Sequence, residues 1–302
     1  MLAPIVLFTY NRPVHTQKTL ESLRNNHLST ESELFVFSDG YKNESDKKDV
    51  LETRKVISTI EGFKQVQIVE NEQNLGLAKN VINGVSHVIN QYGKVIVIED
   101  DLIFSPFFLM FMNEALERFA DEERIGHIHS FCYPIPNLPD AFLIKWAGSL
   151  GWGTWKRAWQ LFNPDGRALL DELKQRKLTK TFDFNGSYPF TRMLQRQING
   201  EVDSWAIRWN ASLFLNDKLS VNAGKSLNQN TGFDGTGTHS GSKDIWGITG
   251  KPYPEKLDLN VITDVCENQE ARKVFEKNYR KVNGFWAKVK RRLIFWHTDN
   301  AD

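Results

Sequence analysis

The chain has 302 residues, of which 25% are charged, and its 38 Lys plus Arg nearly balance 37 Asp plus Glu for a formal net charge of +1. That length suits one large α/β unit with a sizeable core, while the balanced charge supplies no global field to hold a nucleic acid. Cys132 and Cys266 are far apart and lack metal-ligand spacing, which argues against a disulfide framework and a zinc site.

The opening segment MLAPIVLFTYNRP has no basic leader, and its short apolar run ends in polar residues. It reads as a first strand, Pro4–Thr9, rather than a signal peptide, and no later stretch is long and apolar enough to span a bilayer. The expected setting is cytoplasmic, with peripheral contact at the inner face of a membrane left open. Further β-branched runs follow at intervals of roughly thirty residues, the size of one βαβ unit: Leu34–Phe37, Gln65–Val69 and Lys94–Ile98. Between them lie helical patterns at Leu20–Leu23, at Val50–Ile60 and, with the best spacing, through Leu77, Val81, Val85, Val88 and Ile89. Alternating strands and helices predict a mostly parallel sheet flanked by helices, with its ligand crevice at the carboxyl ends of the strands.

Each strand end carries polar residues suited to that crevice. The first runs into Thr9, Tyr10, Asn11 and Arg12, and the second into Ser38 and Asp39. Taken alone, Asn-Arg-Pro and Asp-Gly are ordinary turn sequences. The third leads to NLGLAKNVINGV, where Asn74 and Gly76 make a turn and Lys79 falls in the first turn of the next helix, a reasonable diphosphate site. The fourth ends in Glu99, Asp100 and Asp101. Like charges packed at the mouth of an apolar strand raise one another's pKa, and the usual compensation is Mg²⁺ or Mn²⁺ shared with substrate phosphates.

In order and spacing these elements resemble the nucleotide-sugar glycosyltransferases of GT-A fold, over roughly the first 105 residues. The marks are FTYNRP, SDG, NLGLAKNVINGV and IEDD, the last in place of the DXD motif. The resemblance implies that Asp39 contacts base or ribose, Asp100 the ribose or metal shell, and Asp101 the metal. Neither a P-loop nor a GxGxxG dinucleotide fingerprint is present.

Beyond Ile125 the rhythm breaks into a Trp- and Gly-rich stretch and polar turns. Here GSLGWGTWKRAW, EVDSWAIRW, SLNQNTG and DGTGTH resemble the N-acetylglucosaminyltransferase I type and bacterial family 2 relatives. That resemblance places the catalytic base on Asp203, with Glu201 as its rival, and adds His239 to the metal site. Trp205 and Trp209 are expected to desolvate Asp203 partly. Trp152, Trp155 and Trp159 are spaced for one helical face, and Trp152 is a candidate to lie against an acceptor sugar.

The chain is thus expected to form a catalytic domain over residues 1–265, with a nucleotide-sugar half (1–105) and an acceptor half (106–265), followed by an extension over 266–302. Glu270–Trp296 has a basic amphipathic pattern suited to anionic membrane or to packing on the domain. The expected reaction is metal-dependent transfer, with inversion, from a nucleotide diphosphate sugar, UDP-linked by analogy, to a hydroxyl of a glycan or lipid-linked saccharide. A nucleotide-sugar-binding protein and a nucleotide-sugar hydrolase are the alternatives.

Overall fold

A computed structural model of the chain describes residues 1–233, 244 and 246–283. Four strands close to the expected bounds, β1 (Ile5–Thr9), β2 (Glu33–Ser38), β3 (Gln65–Glu70) and β4 (Lys94–Glu99), pair in parallel in the order β3-β2-β1-β4. Helices α1 (Pro13–Arg24), α2 (Glu44–Ser58) and α3 (Leu77–Tyr92) connect them. Each helix has a local cause. Pro13 supplies the fixed φ of a first helical residue, the Asn43 side chain accepts the Asp46 N–H, and Gly93 closes α3 in the left-handed region at φ +77°.

Alternation along the strands builds two cores. Ile5, Leu7, Ile96 and Ile98 pack with Leu20 and Leu23 of α1 on one face, whereas Val6, Phe8, Val95 and Val97 meet Val81, Val85 and Val88 of α3 on the other. β3 is the sheet edge, so Ile68 and Val69 remain partly exposed rather than buried.

The second half of the chain continues this sheet with mixed directions. After the short β5 (Leu102–Phe104) and α4 (Phe108–Arg118) come β6 (Ile125–His129), β7 (Ala141–Ile144) and β8 (Trp152–Trp155). The chain then forms α5 (Lys156–Trp159), α6 (Gly166–Gln175), α7 (Thr179–Phe182), α8 (Phe190–Ile198), α9 (Trp205–Leu215), β9 (Leu219–Ala223), β10 (Asn228–Asn230) and α10 (Gln269–Asn283). The full order is β3-β2-β1-β4-β8-β6-β9-β7, with β8 antiparallel to both β4 and β6, and β10 pairs separately with β5. The observed fold is therefore the expected α/β sheet flanked by helices, parallel in its first half.

One expectation changes. Trp152 and Trp155 stand on a strand, not on a helical face, so their side chains enter opposite cores, and only Trp159 is helical. The pattern misled because Trp spaced by three satisfies helix and strand alike when both faces are buried. In addition, α10 buries Phe275 and Tyr279 in a third core with Phe142, Trp146 and Phe184, so the part of the extension it spans packs on the domain. The cluster Lys288 to Arg292 lies outside the described residues. Among those described, no helix is long and apolar enough to cross a membrane.

Candidate active site

From adjacent β1 and β4 the neighbouring strands run out in opposite directions, which opens a crevice at their carboxyl ends. Thr9, 3% exposed, ends β1 with a buried hydroxyl that has no hydrogen-bond partner. Next to it the Tyr10 N–H and the Thr16 hydroxyl donate to Asp100 Oδ2 at 3.3 and 3.4 Å. The Tyr10 hydroxyl donates to Asp46 at 2.8 Å, and burial with this bond pushes its pKa up to about 12. Asn11 is half-buried at the same turn.

Asp101 accepts from Arg12 Nη1 at 3.0 Å and from Asn230 Nδ2 at 3.4 Å, while its backbone carbonyl takes the Thr231 N–H. Pairing of β10 with β5 therefore ties the far half of the chain to the end of β4. Burial, and then the charge of Asp101, raises Asp100 to about 7, and the same two causes raise Glu99. The Arg12 guanidinium only partly offsets this crowding. Among the described residues Arg12 is the cation beside this pair, and Asp100 and Asp101 are the residues that could hold a divalent cation. Among the described residues no three His, Cys, Asp or Glu side chains converge as a complete cage. His239 lies outside the described residues.

Asp39 is 5% exposed and accepts the backbone N–H groups of Leu75 (2.9 Å) and Gly76 (3.0 Å), one on each oxygen, together with the Gly40 N–H and the Asn71 side-chain amide. The carboxylate thus clamps the loop that opens α3. Asn74 completes the clamp by donating to the Gly40 carbonyl at 2.7 Å. Gly76 precedes α3 at φ +77°, and Lys79 is exposed in its first turn.

Asp203 reaches this crevice from the second half of the chain. A Cβ built on Gly76 would lie 3.5 Å from its Oδ2. Its side chain is 63% exposed, with Arg208 Nη2 at 3.9 Å. Trp205 and Trp209 do not cover it, because both are buried in the core behind α3. Glu201 does not share its face: no strand forms here, and Glu201 turns to Arg196 and Asn199 at 3.0 and 3.1 Å. Trp152 is 1% exposed and stacks on Trp205 with ring centres 5.0 Å apart, so no acceptor sugar can lie against it.

Spatial clustering alone reveals two further features. A cavity of about 250 Å³ lies beside Ser204, with Tyr133, Trp146, Tyr188 and Trp246 in its walls and His129 lining it. Behind it the buried His127 accepts the Trp209 indole N–H on Nδ1 (3.1 Å), so its Nε2 donates to the Gly148 carbonyl (3.0 Å). The sequence signal was present in IGHIH, where two His alternate within an apolar strand.

Residues 5–125 match the family described as Glycosyl transferase family 2. No curated protein matches the chain. Among solved structures, S. aureus TarS 1–349 aligns at 15% identity and TM-score 0.44 over 77% of this chain and 61% of that one, so this chain spans about three fifths of its length. A mannosyltransferase, PcManGT from Pyrobaculum calidifontis, in complex with GDP-Man and Mn²⁺, aligns at 10% identity and TM-score 0.35 over 72% of this chain and 75% of that one. A UDP-glucose pyrophosphorylase complexed with UDP-glucose aligns at 11% identity and TM-score 0.36, over 74% and 90%.

Proposed function

We propose, with residues 5–125 as a glycosyltransferase domain of GT-A fold, that the protein transfers a sugar from a nucleotide diphosphate donor to a saccharide hydroxyl. The observation that supports this most directly is the under-compensated carboxylate pair at the end of β4, set against the Asp39-clamped opening of α3. The nucleotide lies in the crevice between them. Thr9, Tyr10, Asn11 and the 74–76 loop line it, and Lys79 adds positive charge at the helix start. When bound to Asp100 and Asp101, a divalent cation supplies charge neutralisation at the departing diphosphate. Arg12, beside Asp101, adds a guanidinium toward the phosphates.

Asp203 serves as general base, taking the proton of the acceptor hydroxyl as that oxygen attacks the anomeric carbon, which gives inversion in one step. Its carboxylate stands beside Gly76, at the loop that opens α3. UDP is the proposed nucleotide. The test is calorimetric titration of UDP with and without Mn²⁺ into wild type and Asp101→Ala. Metal-dependent binding in wild type and its loss in the variant are expected. Equal affinity and equal metal response in both would remove Asp101 from the metal site.

A further inference from the structure

The cavity beside Ser204 combines features that no single motif contained. Tyr133, Tyr188 and Trp246 are partly exposed and cluster tightly, with Trp246 centred 5.6 Å from both tyrosines. Polar groups interrupt these aromatic walls. Ser149 and Ser204 line the cavity, and His129, 1% exposed, contributes a ring whose two nitrogens make no hydrogen bond of good geometry, Asn222 being its polar neighbour. A buried polar ring without partners costs stability unless something uses it.

The walls also connect to both sides of the proposed chemistry. On one side the Ile248 carbonyl accepts the N–H of Asn230, whose side chain reaches Asp101. On the other, Ser204 follows Asp203 directly, and Asp203 faces Gly76. About 250 Å³ lies just below the usual range of roughly 300–1,000 Å³ for drug-sized ligands, room for one ring and not for a long chain. Aromatic faces with interspersed hydroxyl partners suit a ring that is apolar across its C–H face and polar at its edge.

We propose that this cavity is the acceptor subsite and seats a single pyranose ring against the wall formed by Tyr133, Tyr188 and Trp246, with its hydroxyls toward Ser149 and Ser204. The assignment rests on the glycosyltransferase reading for the word acceptor, but not for the sugar itself. The full-length protein, without nucleotide, is mixed with methyl glycosides of glucose, galactose, mannose and N-acetylglucosamine and observed by saturation-transfer NMR. The expected result is saturation of the ring C–H protons of at least one glycoside. Affinity should fall about tenfold or more in Trp246→Ala, which opens a wall, and in Met193→Trp, which fills the space, while UDP binding is kept. The two substitutions change packing in opposite senses, and melting curves identify one that has not folded. No saturation from any glycoside, or saturation that survives both substitutions, overturns the subsite. Glycoside binding by wild type that binds no nucleotide with or without Mn²⁺ keeps the cavity as a sugar site and removes the transferase reading.

Discussion

Asp203 is exposed and held only loosely by Arg208, so its replacement should leave the fold unchanged. Asp203→Asn is expected to slow transfer on the order of 10²- to 10⁴-fold with donor affinity and melting temperature near wild type. Glu201→Gln, turned toward Arg196, should transfer normally. A slow Glu201→Gln beside a normal Asp203→Asn would move the base. The buried histidines make a second prediction. Burial lowers His129 to about 3, and lowers His127 well below the ordinary 6.5. Between those values the unfolded chain binds more protons, so stability falls as pH drops below 6.5, by about 1.4 kcal/mol per pH unit for each ring. Raised Asp100 and Glu99 act oppositely, because there the folded form holds more protons. Urea unfolding from pH 7 to pH 5 isolates one ring if wild type is compared with His129→Phe, whose stability should fall less steeply by about that amount. Parallel slopes would contradict a neutral buried His129.

At the scale of elements, the crevice depends on loops set by backbone contact rather than by side-chain charge alone. Gly40 approaches the loop before α3 so closely that a Cβ would stand 2.4 Å from the Gln73 carbonyl carbon and 2.8 Å from the Asn74 nitrogen. Gly40→Ala should therefore push the loop off Asp39. Overpacking of this kind costs about 1–3 kcal/mol, and UDP affinity should fall with it, as thermal melting and calorimetry would measure. Wild-type affinity in Gly40→Ala would mean that the Asp39 clamp does not shape the nucleotide wall. The same reasoning explains IEDD. The apolar run of β4 carries its carboxylates to the crevice because strand and crevice end together, and β10 then fixes Asp101 through Asn230.

Across the whole molecule, one eight-stranded sheet joins the two halves of the chain, and α10 closes the second through Phe275, which is 0% exposed against Phe142, Trp146 and Tyr279. Phe275→Ala should cost about 3–5 kcal/mol, seen as a lower urea midpoint for the sheet domain itself. An unchanged midpoint would mean that α10 is an independent appendage. By itself the sequence determined the four parallel strands, the helices between them and the strand ends bearing Thr9, Asp39 and Asp100. Periodicity of 2 and 3.6 is a local signal, and a parallel sheet places every such end in one crevice. Only the tertiary structure decided what depends on packing between distant segments. It buried Trp152 against Trp205, turned Asp39 inward onto Leu75 and Gly76, left Asp203 exposed, and gathered Tyr133, Tyr188 and Trp246 around one cavity. An aromatic side chain looks the same in the sequence whether it fills a core or lines a site. The difference lies in which neighbours cover it, and those neighbours come from elsewhere in the chain.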